Sequence, residues 1–599
     1  MKHRACTFIA LGLLVSLLCG RAATLVVTNL ADNGPGTLRS ALTNVHDGDA
    51  ITFAVAGTIT NATTYAGFSI TNSVALVGPG ADILGVSGNK VNRAFSISSG
   101  ASVSISGLTI LNSYGGPSMD GGGIYNAGSL ALTNCAFTAC KSTLGGVSEY
   151  NGGPGYAAGN GGAIFNSGTL VAVNCLFLTN AANAGGAGSA GYGQGLTITP
   201  GGNGGNGGHG GAVYSSGAAN FIHCAFGWNI AGAGGAGGNG GSASSSSPGA
   251  GRYGGNGGNG GHGGAVYSSG GVAFVSCTFA NNSAGAGGSG GGGGSGYYYY
   301  GGFGGSGGSG GNGALYCAST GQIVACTFTA NAPGRGGNGA SGGTGGISYQ
   351  GGYGGNGGGG GNGGAVYSNG TNALLTLRDV LAAQNSAASA GSAGGGGASG
   401  SGWPGPAASS GTNGVAGTGP DLLGTFTSLG HNLIGLRTGN AGFTNNVLGD
   451  LVGTNTAINA KLGALTNNGG FTRTCALLAG SPALDAGDDA ITNAPLSLTN
   501  DQRGYPRRSG TQVDIGAYEL QWASAPFVLN SAVNDGIFVL TLTNIPGAPF
   551  TVLSQTDVTR PLSTWTALGF MSETAPGQYQ WTDTTMTNRS QRFLRVRNP

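Results

Sequence analysis

Cutting a polysaccharide takes acidic side chains, either a pair of carboxyl groups or calcium-binding carboxylates with a basic partner. Between Asn151 and Pro420 the sequence offers one, Asp379, and the only Lys or Arg residues there are Arg252, Arg335 and Arg378. The middle of the chain therefore lacks the parts for that chemistry. Carboxylates gather further on, at Asp485, Asp488, Asp489, Asp501, Asp514 and Glu519, beside Arg503, Arg507 and Arg508. A catalytic or calcium site is one reading of that cluster; structural ion pairs and turn caps are the reading adopted, since most charge clusters are structural.

Two of the cysteines, Cys6 and Cys19, fall in the leader described below. None of the others (Cys135, Cys140, Cys175, Cys224, Cys277, Cys317, Cys326, Cys475) forms a CxxC pair, so no zinc site is expected. His209 and His262 occupy a position held elsewhere by Asp120, Asn160, Gly311 and Asn362, all tolerant of positive φ, which favours a turn role over metal binding. No cofactor and no metal is called for. What remains is tyrosine. Tyr214, Tyr267, Tyr316 and Tyr367 recur at equivalent places, and rings so repeated make an uncharged, ligand-facing platform for sugar faces or aromatic partners. The plainer account is that stacked tyrosines stabilise their own sheet.

A repeat positions these residues. GGGIYNAG at Gly121 returns as GGAIFNSG at Gly161, GGAVYSSG at Gly210 and again at Gly263, NGALYCAS at Asn312 and GGAVYSNG at Gly363. Ten residues after the aromatic stands a cysteine (Cys135, Cys175, Cys224, Cys277, Cys326), and two further on a phenylalanine (Phe137, Phe177, Phe226, Phe279, Phe328). Three beyond that come Asn180, Asn229, Asn282 and Asn331, with Cys140 in the first unit; the sixth unit degrades to Asp379, Leu381 and Gln384. Fixed spacing within a unit and variable spacing between units imply a rigid coil carrying an insertion. Three short strands per coil, stacked about 4.8 Å apart, make a right-handed parallel β-helix in which like residues stack on like. Strand alternation sends cysteine, phenylalanine and the column Ile124, Ile164, Val213, Val266, Leu315, Val366 inward, and the tyrosines outward. The cysteines are expected as packed free thiols and the asparagines as a turn ladder.

Composition agrees with an all-β solenoid. Of 599 residues 133 are glycine, against a usual share of about 7 %, and 7 % are charged, against about 25 %. An ordinary helical or α/β enzyme and a charged disordered chain are both excluded. Collagen is excluded too, because glycine keeps no period of three over the whole chain and only 19 prolines are present. A net charge of +2 leaves no electrostatic footprint for nucleic acid or an acidic membrane surface.

Lys2 and Arg4, the apolar run Ala5 to Leu18, and the small residues Gly20 and Ala22 read as a secretory signal peptide over 1–23, with a lipoprotein signal using Cys19 as the alternative. No other run is long enough to span a membrane, so no transmembrane helix is expected in the mature chain.

The GGA[I/V] and FxxN tetrapeptides, recurring jointly over about 121–390, resemble the repeat of chlamydial polymorphic outer-membrane proteins, which are autotransported adhesins built on β-helices. The resemblance stops before any translocating barrel. TLVVTNLADNGPGTLRSAL upstream looks like the N-terminal cap of secreted bacterial β-helix proteins, with Thr37 to Val45 as a short capping helix. HNLIG at His431, NNGGFTRTCALLAGSPALDAGD and NDQRGYPRRSGTQVDIGAYE resemble the choice-of-anchor Q domain, which accompanies β-helices on secreted or surface proteins. The organisation read from the chain is a cap and first coils over 24–120, the repeat β-helix over 121–420, an anchor-Q-like segment over 421–523 that ends the helix, and a small β-sandwich over 524–599.

Segments such as GGNGGNGGHGG between coils have too little apolar surface for a core of their own and are read as glycine-rich loop insertions. Stacked polyglycine-II strands are the alternative. Tyr297 to Tyr300 lie in one such insert, as an exposed contact site or folded back on the helix. Together these readings imply a secreted or bacterial cell-surface, outer-membrane-associated protein that binds extracellular glycans, matrix or another cell surface. A carbohydrate-active enzyme on the same fold is the rival, because polysaccharide lyases and polygalacturonases also use β-helices.

Overall fold

The computed structural model describes residues 22–62, 67–116, 120–194, 197–369, 375–438, 440–522, 529–534, 537–583 and 592–598. The signal peptide expected over 1–23 falls almost wholly outside them.

Each repeat folds as three short strands because apolar and polar residues alternate for three to five positions and then meet a turn. Val213–Ser215, Ala218–Ile222 and Ala225–Gly227 form one coil. Each pairs in parallel with its counterpart in the next: Tyr214 with Tyr267, Phe221 with Phe274, Phe226 with Phe279. Continued from Thr24–Val27 to Leu451–Val452, this pairing builds a parallel β-helix with three faces. The helix expected near the N-terminus spans Leu38–Asn44, with Thr37 Oγ1 accepting from the Ser40 amide as its N-cap.

The core is a set of ladders. The column from Ile124 to Val366 and the five cysteines of the repeat are fully buried, and the cysteines are free thiols. Phe137, Phe177, Phe226, Phe279 and Phe328 stack face to face with centroids 4.5–5.0 Å apart. Asn180, Asn229, Asn282 and Asn331 are wholly buried too. Each Nδ2 donates to a phenylalanine carbonyl of the preceding coil and to the next asparagine's Oδ1, at 2.8–3.0 Å.

The sixth coil is shifted by one residue from the sequence reading. Val380, Ala382 and Asn385 fill the cysteine, phenylalanine and asparagine places, and Asn385 continues the ladder to Asp421 Oδ1. Asp379 belongs instead to a turn column, with φ 52° beside 51°, 53°, 54°, 48° and 50° at Asn134, Asn174, His223, Ser276 and Ala325. Gln384 joins the second left-handed column, that of Ala139 and Thr179. The reason is alternation: a one-residue slip would aim the Asp379 carboxylate into the cysteine core.

The glycine-rich inserts are ordered, which corrects the loop reading in favour of the polyglycine alternative. Each insert runs out and back, and the limbs repeat every three residues, as extended polyglycine-II chain does. One glycine amide of a triplet donates to the same limb of the next insert, as Gly204 N to Asn256 O at 2.8 Å; the other donates across to the opposite limb, as Gly205 N to Gly186 O at 2.8 Å. The third residue is braced by a side chain, as where the Asn256 amide donates to Asn203 Oδ1 at 2.8 Å. Glycine is required by close approach. A Cβ at Gly204 would lie 1.9 Å from Gly235 O, and one at Gly258 2.0 Å from Gly205 O. The inserts thus form a two-layered array attached along one edge of the solenoid.

After Leu451–Val452 the chain leaves the coil, forms an antiparallel hairpin of Leu462–Thr466 with Thr474–Leu477, and lies back on the outside of the cysteine and phenylalanine face. There Ala517 N donates to Thr327 Oγ1, Gly516 N to the Asp379 carbonyl and Asp488 N to Asp379 Oδ1. The described residues between 529 and 597 form a four-stranded and a three-stranded antiparallel sheet around Leu540, Leu542, Phe550, Val552 and Tyr579, a small β-sandwich.

Candidate binding surface

The tyrosine column stands where alternation puts it, on the outer side of the strands that follow each insert. Its rings lie nearly parallel, with interplanar angles of 4° for Tyr125 on Phe165, 7° for Phe165 on Tyr214, 2° for Tyr214 on Tyr267 and 6° for Tyr267 on Tyr316. Centroids 4.8–5.3 Å apart leave no room between rings. His209 and His262 close part of the remaining surface by packing on Tyr267 and Tyr316. Arg93 covers the Tyr125 end with its guanidinium 5.1 Å from the ring centre. Tyr316 is only 6 % exposed, and burial pushes the Tyr267 hydroxyl up to about 12. Tyr214, Tyr267, Tyr316 and Tyr367 therefore offer ring edges rather than the open faces that a stacking platform needs.

The two histidines belong to a hydrogen-bonded column. His209 N donates to Asn160 Oδ1, His262 N to His209 Nδ1, Asn312 N to His262 Nδ1, and Asn362 N to Asn312 Oδ1, at 2.8–3.0 Å. The fifth member is Asn312 and not Gly311. Positive φ falls one residue later, at Gly161, Gly210, Gly263, Gly313 and Gly363. What these positions share is a side-chain acceptor that reaches the next coil's amide. Imidazole accepts only when neutral, and burial holds His209 low and His262 at about 4.

The acidic cluster is spent on backbone. Asp485 Oδ1 accepts the amides of Thr511 and Gln512, Asp514 those of Asp485 and Leu520, and Glu519 those of Ser509 and Asp514. Asp501 pairs with Arg503, both side chains fully buried, and Arg507 donates to the carbonyls of Asp514 and Gly516. Asp488 binds Arg378, and Asp489 lies 3.2 Å from Arg508. Burial raises Asp379 to about 7, Asp514 to about 6 and Glu519 to about 8. Among the described residues no group of three or more His, Cys, Asp and Glu is placed to hold a metal ion.

More exposed rings occur on the glycine array. Tyr253, Phe303 and Tyr353 sit at one triplet position on successive returning limbs, 58 %, 44 % and 43 % exposed. Neighbouring centroids are 5.2 and 5.1 Å apart, with planes tilted by 37° and 51°. At the tips Tyr298, Tyr299 and Tyr300 are about half exposed, and Tyr300 meets Tyr349 and Trp403 edge to face. Sequence reading singled out only Tyr297 to Tyr300. The face column carries a sequence signal, an aromatic immediately before a Gly-Gly pair, that becomes legible once the insert period is recognised.

A concavity of about 920 Å³ lies between the 463–518 region and the β-sandwich, lined by Tyr505, Tyr518, Phe550, Glu573 and Tyr579. Tyr505 donates to Glu573 Oε2 at 3.1 Å across it.

Fold and site define a parallel β-helix protein with an ordered glycine-rich side array. No family model matches the chain, and no curated protein matches it. Solved structures do: pectate lyase Pel9A, 13 % identical over 84 % of this chain and 97 % of that one, with a TM-score of 0.31. Another is a mannuronic acid specific polysaccharide family 6 lyase enzyme from human gut microbiota, 9 % identical over 61 % and 82 % respectively, with a TM-score of 0.19. At these values neither their residues nor their reactions transfer to this chain.

Proposed function

We propose that this is a secreted, cell-surface-associated protein with an adhesive or structural role toward extracellular glycans or matrix. The observation that carries the reading is the division of labour among side chains: the clustered carboxylates are committed to backbone amides and guanidinium groups, while uncharged aromatics stand exposed on a rigid array. The repeat's resemblance to polymorphic outer-membrane adhesins and the anchor-Q-like segment support a surface location, as does the leader over 1–23. Attachment through the segments after the coils is the arrangement proposed; no helix among the described residues is long and apolar enough to cross a membrane. Purified chain from residue 24 onward, applied to a glycan and matrix-protein array, is expected to bind a restricted set of ligands. Depolymerisation of any bound polysaccharide by the pure protein would replace this reading with the enzymatic one.

A further inference from the structure

The adhesive reading leaves open where a glycan would sit and which kind. We propose that the aromatic face and tip of the glycine array bind an uncharged polysaccharide of hexopyranose units; this site rests on the reading above.

Three observations converge on that ligand. First, Tyr253, Phe303 and Tyr353 repeat at 5.1–5.2 Å, a spacing comparable to the length of one sugar unit, so a polymer of identical rings meets an identical contact at each step. These three side chains are 43–58 % exposed and tilted against one another, in contrast to the nearly parallel column that contains Tyr316, which is 6 % exposed. The apolar faces of pyranose rings pack on such surfaces, and repetition along a polymer multiplies weak single contacts. Second, the next triplet position carries Asn256, Ser306 and Asn356. The Oδ1 atoms of Asn256 and Asn356 are occupied in the ladder, by the amides of Ser306 and Thr412, which leaves both Nδ2 groups without a partner among the described residues and available to sugar hydroxyls. Third, the inserts between Ser142 and Pro420 carry only Glu149, Arg252 and Arg335 as charged residues, too few cations to pair with each unit of an acidic polymer.

Stiffness strengthens the case. Each limb is hydrogen-bonded to its neighbours through Gly254, Gly255, Gly304 and Gly305, so the rings are held in place before a ligand arrives and little ordering remains to be done on binding. Serine already occupies equivalent triplet positions at Ser306 and Ser309, and a ring-to-serine change there is compatible with the array.

The test is co-sedimentation of the full mature chain with microcrystalline cellulose, insoluble chitin and granular starch, with immobilised polygalacturonate as the acidic comparator. Wild type is expected to bind at least one neutral polymer in preference to polygalacturonate. The variant Tyr253→Ser/Phe303→Ser/Tyr353→Ser is expected to lose about tenfold or more in affinity with an unchanged circular dichroism spectrum. Tyr299→Ser/Tyr300→Ser is expected to lose less, and Tyr253→Phe/Tyr353→Phe to keep most binding. Wild-type binding that survives the serine variant would overturn the site and leave the adhesive reading standing. Preference for polygalacturonate, or loss in the serine variant of binding to a matrix protein alone, would overturn the ligand class. Failure of wild type to bind any glycan or matrix protein would remove both proposals.

Discussion

At His209 and His262 an imidazole Nδ1 does the work that an asparagine Oδ1 does in neighbouring coils. The acceptor exists only on the neutral ring, so the fold is linked to proton binding there. Burial keeps both rings below the ordinary histidine value of about 6.5, with His262 at about 4. The unfolded chain therefore takes up more protons between these values, and this contribution, present above pH 6.5, is lost as pH falls toward 4. Buried carboxyls run the other way: Asp421, raised by burial to about 6, favours the fold in acid and loses that contribution as pH rises. Comparing wild type with His209→Asn/His262→Asn cancels the carboxyls. Urea unfolding is expected to show the variant gaining on wild type by about 1–3 kcal/mol between pH 6.5 and 4. Asn282 sits in the buried ladder with no freedom to be replaced. Asn282→Ala removes the acceptor of Asn229 and the donor to the Phe226 carbonyl, and is expected to cost about 2–4 kcal/mol in the same assay.

Among elements, the inserts behave unlike loops, and glycine acts in them through its missing Cβ rather than through left-handed backbone. Gly258→Ala would drive a methyl group into the backbone at Gly205, whereas Asn259→Ala removes one exposed acceptor at the array surface. Amide hydrogen exchange should show protection lost across Gly235 to Gly261 in the first variant and nearly unchanged in the second. Deleting Gly285 to Gly310 tests the joint between array and coil. Hydrogen bonds of the coil strands do not pass through the insert, so the far-UV β signal should persist. The flanking limbs lose partners, because Gly257 donates to Ser306 and Gly287 to Arg335. Faster exchange at Gly257 with the β signal intact is the expected pair of results, and collapse of both would mean that the coils depend on the array.

For the whole molecule, the region after residue 454 is a covering for the solenoid as well as an appendage. Leu381, Ala383 and Leu433 of the last coils are buried against Ala483, Ile515, Tyr518 and Leu520, and Thr278 Oγ1 donates to Gln502 Oε1. A chain stopped after residue 454 would expose this apolar face and is expected to aggregate or to melt well below the full chain. A chain stopped after 522 keeps the cover and loses only the sandwich, with its Tyr505 to Glu573 contact, so its main transition should move little. Differential scanning calorimetry of the two truncations separates these outcomes.

Local pattern alone determined the coil. Alternation in segments such as IYN and VAFV, with the fixed interval from aromatic to cysteine to phenylalanine, specifies which side chains enter the core, because a strand has only two faces. It also marked the asparagine ladder wherever the interval is regular. The sixth coil escaped, since three added residues between Tyr367 and Val380 break the regular interval and put Asp379 and Gln384 in turn columns, and only the register of stacked coils reveals that. Tertiary structure decided the rest. Tyrosines at coil spacing are equally compatible with an open platform and a closed stack, and the observed side-chain orientation closes it by laying each ring nearly parallel on the next at 4.8–5.3 Å. Glycine triplets are compatible with a flexible linker when each insert is read alone. Six inserts held at coil spacing satisfy one another's amides, and the rings at Tyr253, Phe303 and Tyr353 become a surface only when those limbs lie side by side.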